Sequence, residues 1–255
     1  MDSSRRGFIK LAGLTALGVS GGSAVESLAQ DTSPGTGAPL TAHRWAMVID
    51  VKKFYQHRSW DRCIEACNKV HNVPHFEDHK DAVKWIWNEE FEKAFPAMEG
   101  EYVADVHKHQ PVLVLCNHCD NPPCTRVCPT QATWKRESDG IVMMDWHRCI
   151  GCRYCIVACP YGSRSFNWRD PRPHIEDLHA DYPTRMRGVV EKCTFCEERL
   201  ARGKMPACVE ACEHGEIAFG DLEDPNSEVR RLLRENFTLR RKPGLGTQPE
   251  VYYIV

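Results

Sequence analysis

The chain has 255 residues, enough for one large domain or two small ones, and its 33 Lys and Arg nearly balance 35 Asp and Glu. That balance gives no electrostatic basis for nucleic-acid or membrane-surface binding. The outlier is 14 cysteines, grouped along the chain in a way that points to metal.

Ser4-Arg5-Arg6-Gly7-Phe8-Ile9-Lys10, the apolar stretch Leu11 to Val19 and the small residues up to Ser27-Leu28-Ala29 have the form of a twin-arginine export signal. It occupies residues 1–29, with Ala29 the last residue before cleavage. Its apolar run is far below the ~20 residues that span a bilayer, and no other run is longer. The mature chain is therefore expected to be a periplasmic protein with no membrane span of its own. A twin-arginine route delivers folded protein, which suits thiolates that must capture metal before meeting an oxidising compartment.

Residues 30–43 read as a flexible linker. Trp45 to Val51 is apolar and weakly alternating, hence a strand, and Cys63 and Cys67 follow it. Val83, Ile86, Trp87, Phe91, Ala94 and Phe95 fall at helical spacing, which predicts an amphipathic helix between residues 76 and 98, ended by Pro96. Val112 to Leu115 predicts a short strand leading into the dense cysteine region 116–160. Residues 163–187 are polar and Pro-rich, a loop, and Glu197 to Ala207 predicts a helix and turn. Asp224-Pro225-Asn226-Ser227 is a helix-start signal for Glu228 to Asn236, and Val251 to Val255 predicts a final strand.

The clearest cysteine group is Cys149-x2-Cys152-x2-Cys155-x3-Cys159-Pro160, the bacterial ferredoxin run. Three thiolates at this interval let one loop curl around three corners of an iron–sulfur cube, while the fourth serves a neighbouring cluster. Cys116-x2-Cys119-x4-Cys124-x3-Cys128-Pro129 follows the same grammar with a longer middle step, and Cys193-x2-Cys196-x11-Cys208-x3-Cys212 is a third group. Zinc sites favour pairs of C-x2-C knuckles, and cysteines three apart in tight loops make poor disulfide partners. Both alternatives fit the runs less well than [4Fe–4S] clusters do.

Other residues carry weaker signals. His118 and His147 adjoin cluster cysteines and either tune potential or simply pack. Tyr154, Tyr161, Phe195 and Trp134 are candidates to shield clusters from water. Arg230, Arg231, Arg234, Arg240, Arg241 and Lys242 form either a docking face or a solvated surface. No G-x-S-x-G, HExxH, P-loop or GxGxxG occurs, so the sequence offers no substrate chemistry of its own.

The chain resembles the four-motif ferredoxin-like subunits of membrane-bound redox complexes, such as those of polysulfide reductase and formate dehydrogenase. Cys116-Asn117-His118-Cys119, Pro122-Pro123-Cys124, Lys192-Cys193-Thr194-Phe195-Cys196 and Leu245-Gly246-Thr247 with Val251-Tyr252-Tyr253 carry the likeness. Within that group it is similar to the periplasmic iron–sulfur subunits of the quinone-interacting complex associated with dissimilatory sulfite reductase. The resemblance implies an α+β fold of two ferredoxin-like [4Fe–4S] modules, one inserted within the other, with long loops. Residues 44–111 would begin the outer module, 112–165 form the inner one, and 166–255 complete the outer module. It also implies one-electron relay, a multi-helix quinone-interacting membrane partner and a multihaem cytochrome alongside. The alternative is service to a molybdopterin oxidoreductase.

Carried over residue by residue, the resemblance gives one cluster Cys116, Cys119, Cys124 and Cys159. A second takes Cys149, Cys152, Cys155 and Cys128, and a third takes Cys193, Cys196, Cys208 and Cys67. The first motif is incomplete, because counting back by threes from Cys63 gives Trp60 and His57. A fourth site would have only Cys63 and Cys212, and Cys212 is followed by Glu213 where the family has proline. That site is either empty, with its two cysteines close enough for a disulfide, or completed by a non-thiolate ligand, for which His57 is the candidate. Three cubanes require about 12 irons per chain and four about 16.

Overall fold

The residues with the strongest strand character sit at the two ends of the chain, and they meet. The computed structural model describes residues 37–98 and 105–255; the export signal and the start of the linker lie outside them. Strand β1 (Trp45–Asp50) is buried on both faces. Trp45, Met47 and Ile49 enter the main core, while Ala46 and Val48 enter a smaller one on the opposite side. Burial on both faces marks a central strand. The Asp50 carboxylate accepts a hydrogen bond from Lys53 N and caps helix α1 (Val51–His57). Helix α2 (Trp60–Val70) follows and buries Cys63 and Cys67 on one face, as a four-residue interval requires.

The helix expected between residues 76 and 98 does not form as one element. Ile86 and Trp87 fall in strand β2 (Ile86–Glu90) and Phe91 and Ala94 in the single turn α3 (Phe91–Ala94), with Val83 before and Phe95 after them and a 3-10 turn at Pro96–Met98. The reason is tertiary. Strand β3 (Pro111–Leu115) presents a buried ladder edge, and β2 pairs with it antiparallel from Ile86↔Leu115 to Glu90↔Pro111. Pairing satisfies backbone groups that the isolated segment would have satisfied within a helix. A strand followed by one helical turn happens to reproduce the spacing of a longer amphipathic helix.

The middle of the chain is made of short pieces: α4 (Pro123–Arg126), β4 (Thr133–Lys135), β5 (Val142–Met144) and α5 (Tyr154–Ala158). Strands β4 and β5 pair with each other. The expected loop 163–187 contains β6 (Ser165–Phe166), which pairs with β7 (Val190–Glu191). A buried ion pair pins this loop down. Arg185 Nη2 lies 2.6 Å from the Glu191 carboxylate, which also accepts from Trp85 Nε1 at 2.9 Å. The Arg185 guanidinium rests over the rings of Trp85, Trp146 and Tyr182.

Turns α6 (Glu197–Leu200) and α7 (Ala207–Glu210) lead to β8 (Ile217–Asp221), α8 (Glu228–Glu235), β9 (Thr238–Leu239) and β10 (Val251–Ile254). The four-stranded sheet has the order β8-β1-β10-β9. Strand β1 pairs antiparallel with β8 and parallel with β10, in the register Met47↔Val251. A parallel pair needs a long crossover; here the crossover holds all fourteen cysteines.

Candidate functional site: cysteine-lined cavities

The loops that carry the cysteines turn tightly because their central residues adopt left-handed backbone. His118, Arg153, Phe195 and Cys196 all have positive φ, as does Gly151. At Gly151 nothing else fits: φ is +68° and a Cβ would overlap the Gly188 carbonyl oxygen. Left-handed conformations at non-glycine residues cost stability and persist where surrounding structure holds them, commonly at functional sites.

Cys116, Cys119, Cys124 and Cys159 line one cavity, closed by Pro122, Tyr161 and Arg164. Cys116 directly follows β3, Cys124 lies in α4 and Cys159 ends α5. Cys128, Cys149, Cys152 and Cys155 line a second cavity with Ala132, Met144, Ile150 and Val190. Cys67 on α2 faces Cys196, Cys193 and Cys208; its burial comes first, and then these neighbours push its thiol well above the ordinary value. Cys63 and Cys212 are joined in a disulfide, with Cα atoms 6.3 Å apart. The remaining twelve cysteines are free.

The electrostatics of the free cysteines test what could occupy these cavities. Burial, then Cys116, pushes Cys119 up to about 12, and burial alone dominates at Cys208, also about 12. Burial and neighbouring thiols likewise raise Cys193, Cys196, Cys155 and Cys159. Cys128 is the exception. Burial opposes ionisation there, yet the N–H groups of Thr133, Thr130 and Ala132 and the Thr130 hydroxyl bring it below the ordinary value. Sulfur donors crowded this way repel one another as thiolates and, where burial raises them, resist ionising as thiols. Iron ions among them remove the repulsion and stabilise the thiolates, and four sulfurs per site is the donor set of a [4Fe–4S] cluster. The residues present therefore fit such clusters.

Around the cavities, several expected contributors take other places. His118 is buried, its ring stacked 3.7 Å from that of Phe195. Burial, with Lys192 and Arg164 nearby, holds its pKa well below the usual imidazole range, and neutral Nδ1 accepts from Val142 N at 3.1 Å. This stack joins the Cys116–Cys119 loop to the Cys193–Cys196 loop. His147 is exposed and bonds through its backbone to Asp145. Tyr161 is buried and lines the first cavity and Phe195 is buried, whereas Trp134 and Tyr154 are exposed and are not among the residues lining the first two cavities.

The basic run 230–242 is largely engaged within the chain. Arg231 pairs with Glu228 and Glu235, Arg230 and Arg234 donate to backbone carbonyls, and Arg241 is buried against Ala94 O. His57 stacks 3.9 Å from His214. Two residues that sequence reasoning passed over are Arg164 and Lys192, both enclosed among the cysteines. Lys192 was visible only as the residue before Cys193, and nothing in the local pattern marks Arg164.

A family model for the 4Fe-4S dicluster domain matches residues 110–173 and 178–222. The chain is 42% identical over 230 residues to "Hdr-like menaquinol oxidoreductase iron-sulfur subunit 1" of Archaeoglobus fulgidus, covering 82% of each chain. It is 37% identical over 237 residues to the "Menaquinone reductase, iron-sulfur cluster-binding subunit" of Nitratidesulfovibrio vulgaris, covering 83% of this chain and 88% of that one. It is 36% identical over 266 residues to a tetrathionate reductase subunit of Salmonella typhimurium, covering 100% of this chain and 89% of the relative.

Proposed function

We propose, from the premise that the chain belongs to the [4Fe–4S] iron–sulfur electron-transfer subunits of oxidoreductase complexes, that it relays single electrons through three clusters between a quinone-interacting membrane subunit and a redox partner in sulfur-compound respiration. Bound clusters supply the one-electron redox change. Cys116, Cys119, Cys124 and Cys159 would hold the first, Cys128, Cys149, Cys152 and Cys155 the second, and Cys67, Cys193, Cys196 and Cys208 the third. The gathering of twelve free cysteines into three sets of four carries this reading. The Cys63–Cys212 disulfide supports three clusters rather than four, since it uses the only cysteines left over.

The nested arrangement of two ferredoxin-like modules draws support from the sheet, in which β1 and β10 from the two chain ends bracket everything between. Among the described residues no helix is long and apolar enough to cross a membrane, so contact with quinone falls to a partner. A face for that partner lies beside the second cavity. Ile150, Tyr154 and Val157 are 66%, 61% and 87% exposed there, next to Cys149, Cys152 and Cys155. The names of two relatives, one from a menaquinol oxidoreductase and one from a menaquinone reductase, favour a quinone-linked complex. The relative named for tetrathionate reductase favours a second reading, service to a terminal reductase. Export by the twin-arginine signal would place either complex in the periplasm.

Anaerobic purification from native membranes tests the proposal. The expected result is about 12 irons with matching acid-labile sulfide per chain, a periplasmic chain beginning after Ala29, and a co-purifying multi-helix subunit. Val157→Asp should lose that subunit and keep the iron. A colourless protein without sulfide would overturn the relay, and a co-purifying terminal reductase without a quinone-interacting subunit would favour the second reading.

A further inference from the structure

Two cations are buried in the heart of the cysteine region, and neither has a carboxylate partner among the described residues. Arg164 is 4% exposed. Its Nη2 donates to Cys124 Sγ at 3.0 Å and to Thr133 Oγ1 at 2.9 Å, and Nη1 faces Met144 Sδ at 3.9 Å. Cys124 lines the first cavity while Thr133 and Met144 line the second, so the guanidinium stands between the first and second sets. Lys192 is 0% exposed, and its ammonium donates to the carbonyls of Val142 and Cys193, the latter at 2.6 Å. Val142 lines the first cavity and Cys193 belongs to the third set.

An unpaired charge buried this way is costly. Arg185, by contrast, is buried with Glu191 as its partner. What opposes the cost at Arg164 is sulfur. The guanidinium is in direct contact with one cluster-set sulfur, Cys124 Sγ, at 3.0 Å. The Lys192 ammonium is held instead by the carbonyls of Val142 and Cys193.

We propose that Arg164 and Lys192 are the built-in counter-charges of the relay: Arg164 is shared by the first and second clusters, Lys192 by the first and third. They are positioning residues that raise the reduction potential of the clusters they adjoin and hold neighbouring potentials close. The physics is Coulombic. Each added electron makes a thiolate-bound cluster more negative, and a fixed cation at contact distance in a dry site favours that state.

This inference rests on the three-cluster reading above, so the wild-type iron and sulfide count is measured alongside and judges that reading by itself. The experiment is an EPR-monitored redox titration of the complete, cluster-loaded protein carrying Arg164→Met or Lys192→Met. Each variant should lower two of the three midpoints, one being common to both, by at least tenfold in the reduction equilibrium, about 59 mV for one electron. The third midpoint should stay put. Arg164→Lys, which keeps the charge, should restore both the wild-type midpoints and the iron content; Arg164→Gln, which keeps hydrogen bonding alone, should not. If Arg164→Met assembles too few clusters to titrate, iron retention in the Lys and Gln variants decides in the same sense. Unmoved midpoints in a fully loaded variant, an equal shift of all three, or a Gln variant that behaves like wild type would overturn the proposal.

Discussion

Helix α2 places two cysteines on one face with different fates. Cys67 joins Cys193, Cys196 and Cys208, whereas Cys63, one turn earlier, is tied to Cys212. Cys208 and Cys212 repeat the interval on the opposite side, within and just after α7. The backbone frame is thus nearly the same at both levels, and donor number separates them. The Cys193–Cys196 loop brings two further sulfurs to the upper level. At the lower level the residues three and six before Cys63 are Trp60, whose ring lies 6.5 Å from that of Phe54, and His57, stacked on His214. Aromatic side chains pack there, and the two remaining sulfurs are joined to each other.

The largest way to break this comparison is to remove the cross-link. The disulfide spans a sequence separation of 149 residues. A loop of that size gives about 5 kcal/mol in the chain-entropy picture, with about 2–5 kcal/mol typical on removal. Cys63→Ala combined with Cys212→Ala should therefore lower the unfolding midpoint strongly while iron stays near 12 per chain, as about four per cubane requires. A wild-type count of about 16 irons that falls to about 12 on the same substitution would show that the lower level holds a cluster after all.

A smaller effect sharpens the same contrast. The disulfide level carries its own polar clamp, in which Ser59 donates to the buried Glu216 carboxylate while Cys63 Sγ lies 3.5 Å from Ser59 O. Burial pushes Glu216 up, but the Ser59 hydroxyl and the His214 N–H outweigh it and leave the pKa below the ordinary glutamate value. A depressed carboxylate contributes stability that is complete above its unfolded pKa, near 4.3 for a typical glutamate, and is lost as pH falls through the lower folded value. Ser59→Ala should cost about 1.5–3 kcal/mol at neutral pH, the range for a hydrogen bond to a charged group. Its deficit relative to wild type should shrink below pH ~4, read by thermal unfolding across pH. A deficit independent of pH would assign the loss to packing instead.

Much of this was legible in the cysteine spacing, because loop curvature is local: Cys149, Cys152 and Cys155 line one cavity simply because two-residue gaps wrap a loop. The strand ends and the Ser227 helix start were also local signals. The helix expected through Ile86 and Phe91 was not recoverable from periodicity, since its partner, β3, lies a score of residues onward and only pairing decides between the two conformations. Arg164 and Lys192 stayed hidden for a related reason. Buried cations are recognised by what surrounds them, and their surroundings come from three separate stretches of chain.

The smallest prediction concerns the side of the sheet that faces away from the cysteines. Ser227 accepts from Arg230 N at 3.2 Å and donates to Asp221 O at 2.6 Å, capping α8 and tying it to β8. The helix then seats Val229 against Ala46, Val48 and Ala218 in the second core, across β1 from the main one. Ser227→Ala removes one cap and should cost about 1 kcal/mol, with Ser227→Thr retaining most of it. Because β1 separates the two cores, the loss should add to that of Ser59→Ala within about 0.5 kcal/mol, as distant sites do, and leave iron and midpoints unchanged. Coupling beyond that range would mean that β1 transmits strain between its faces, so that the sheet is part of the cysteine sites and not merely the frame that closes them.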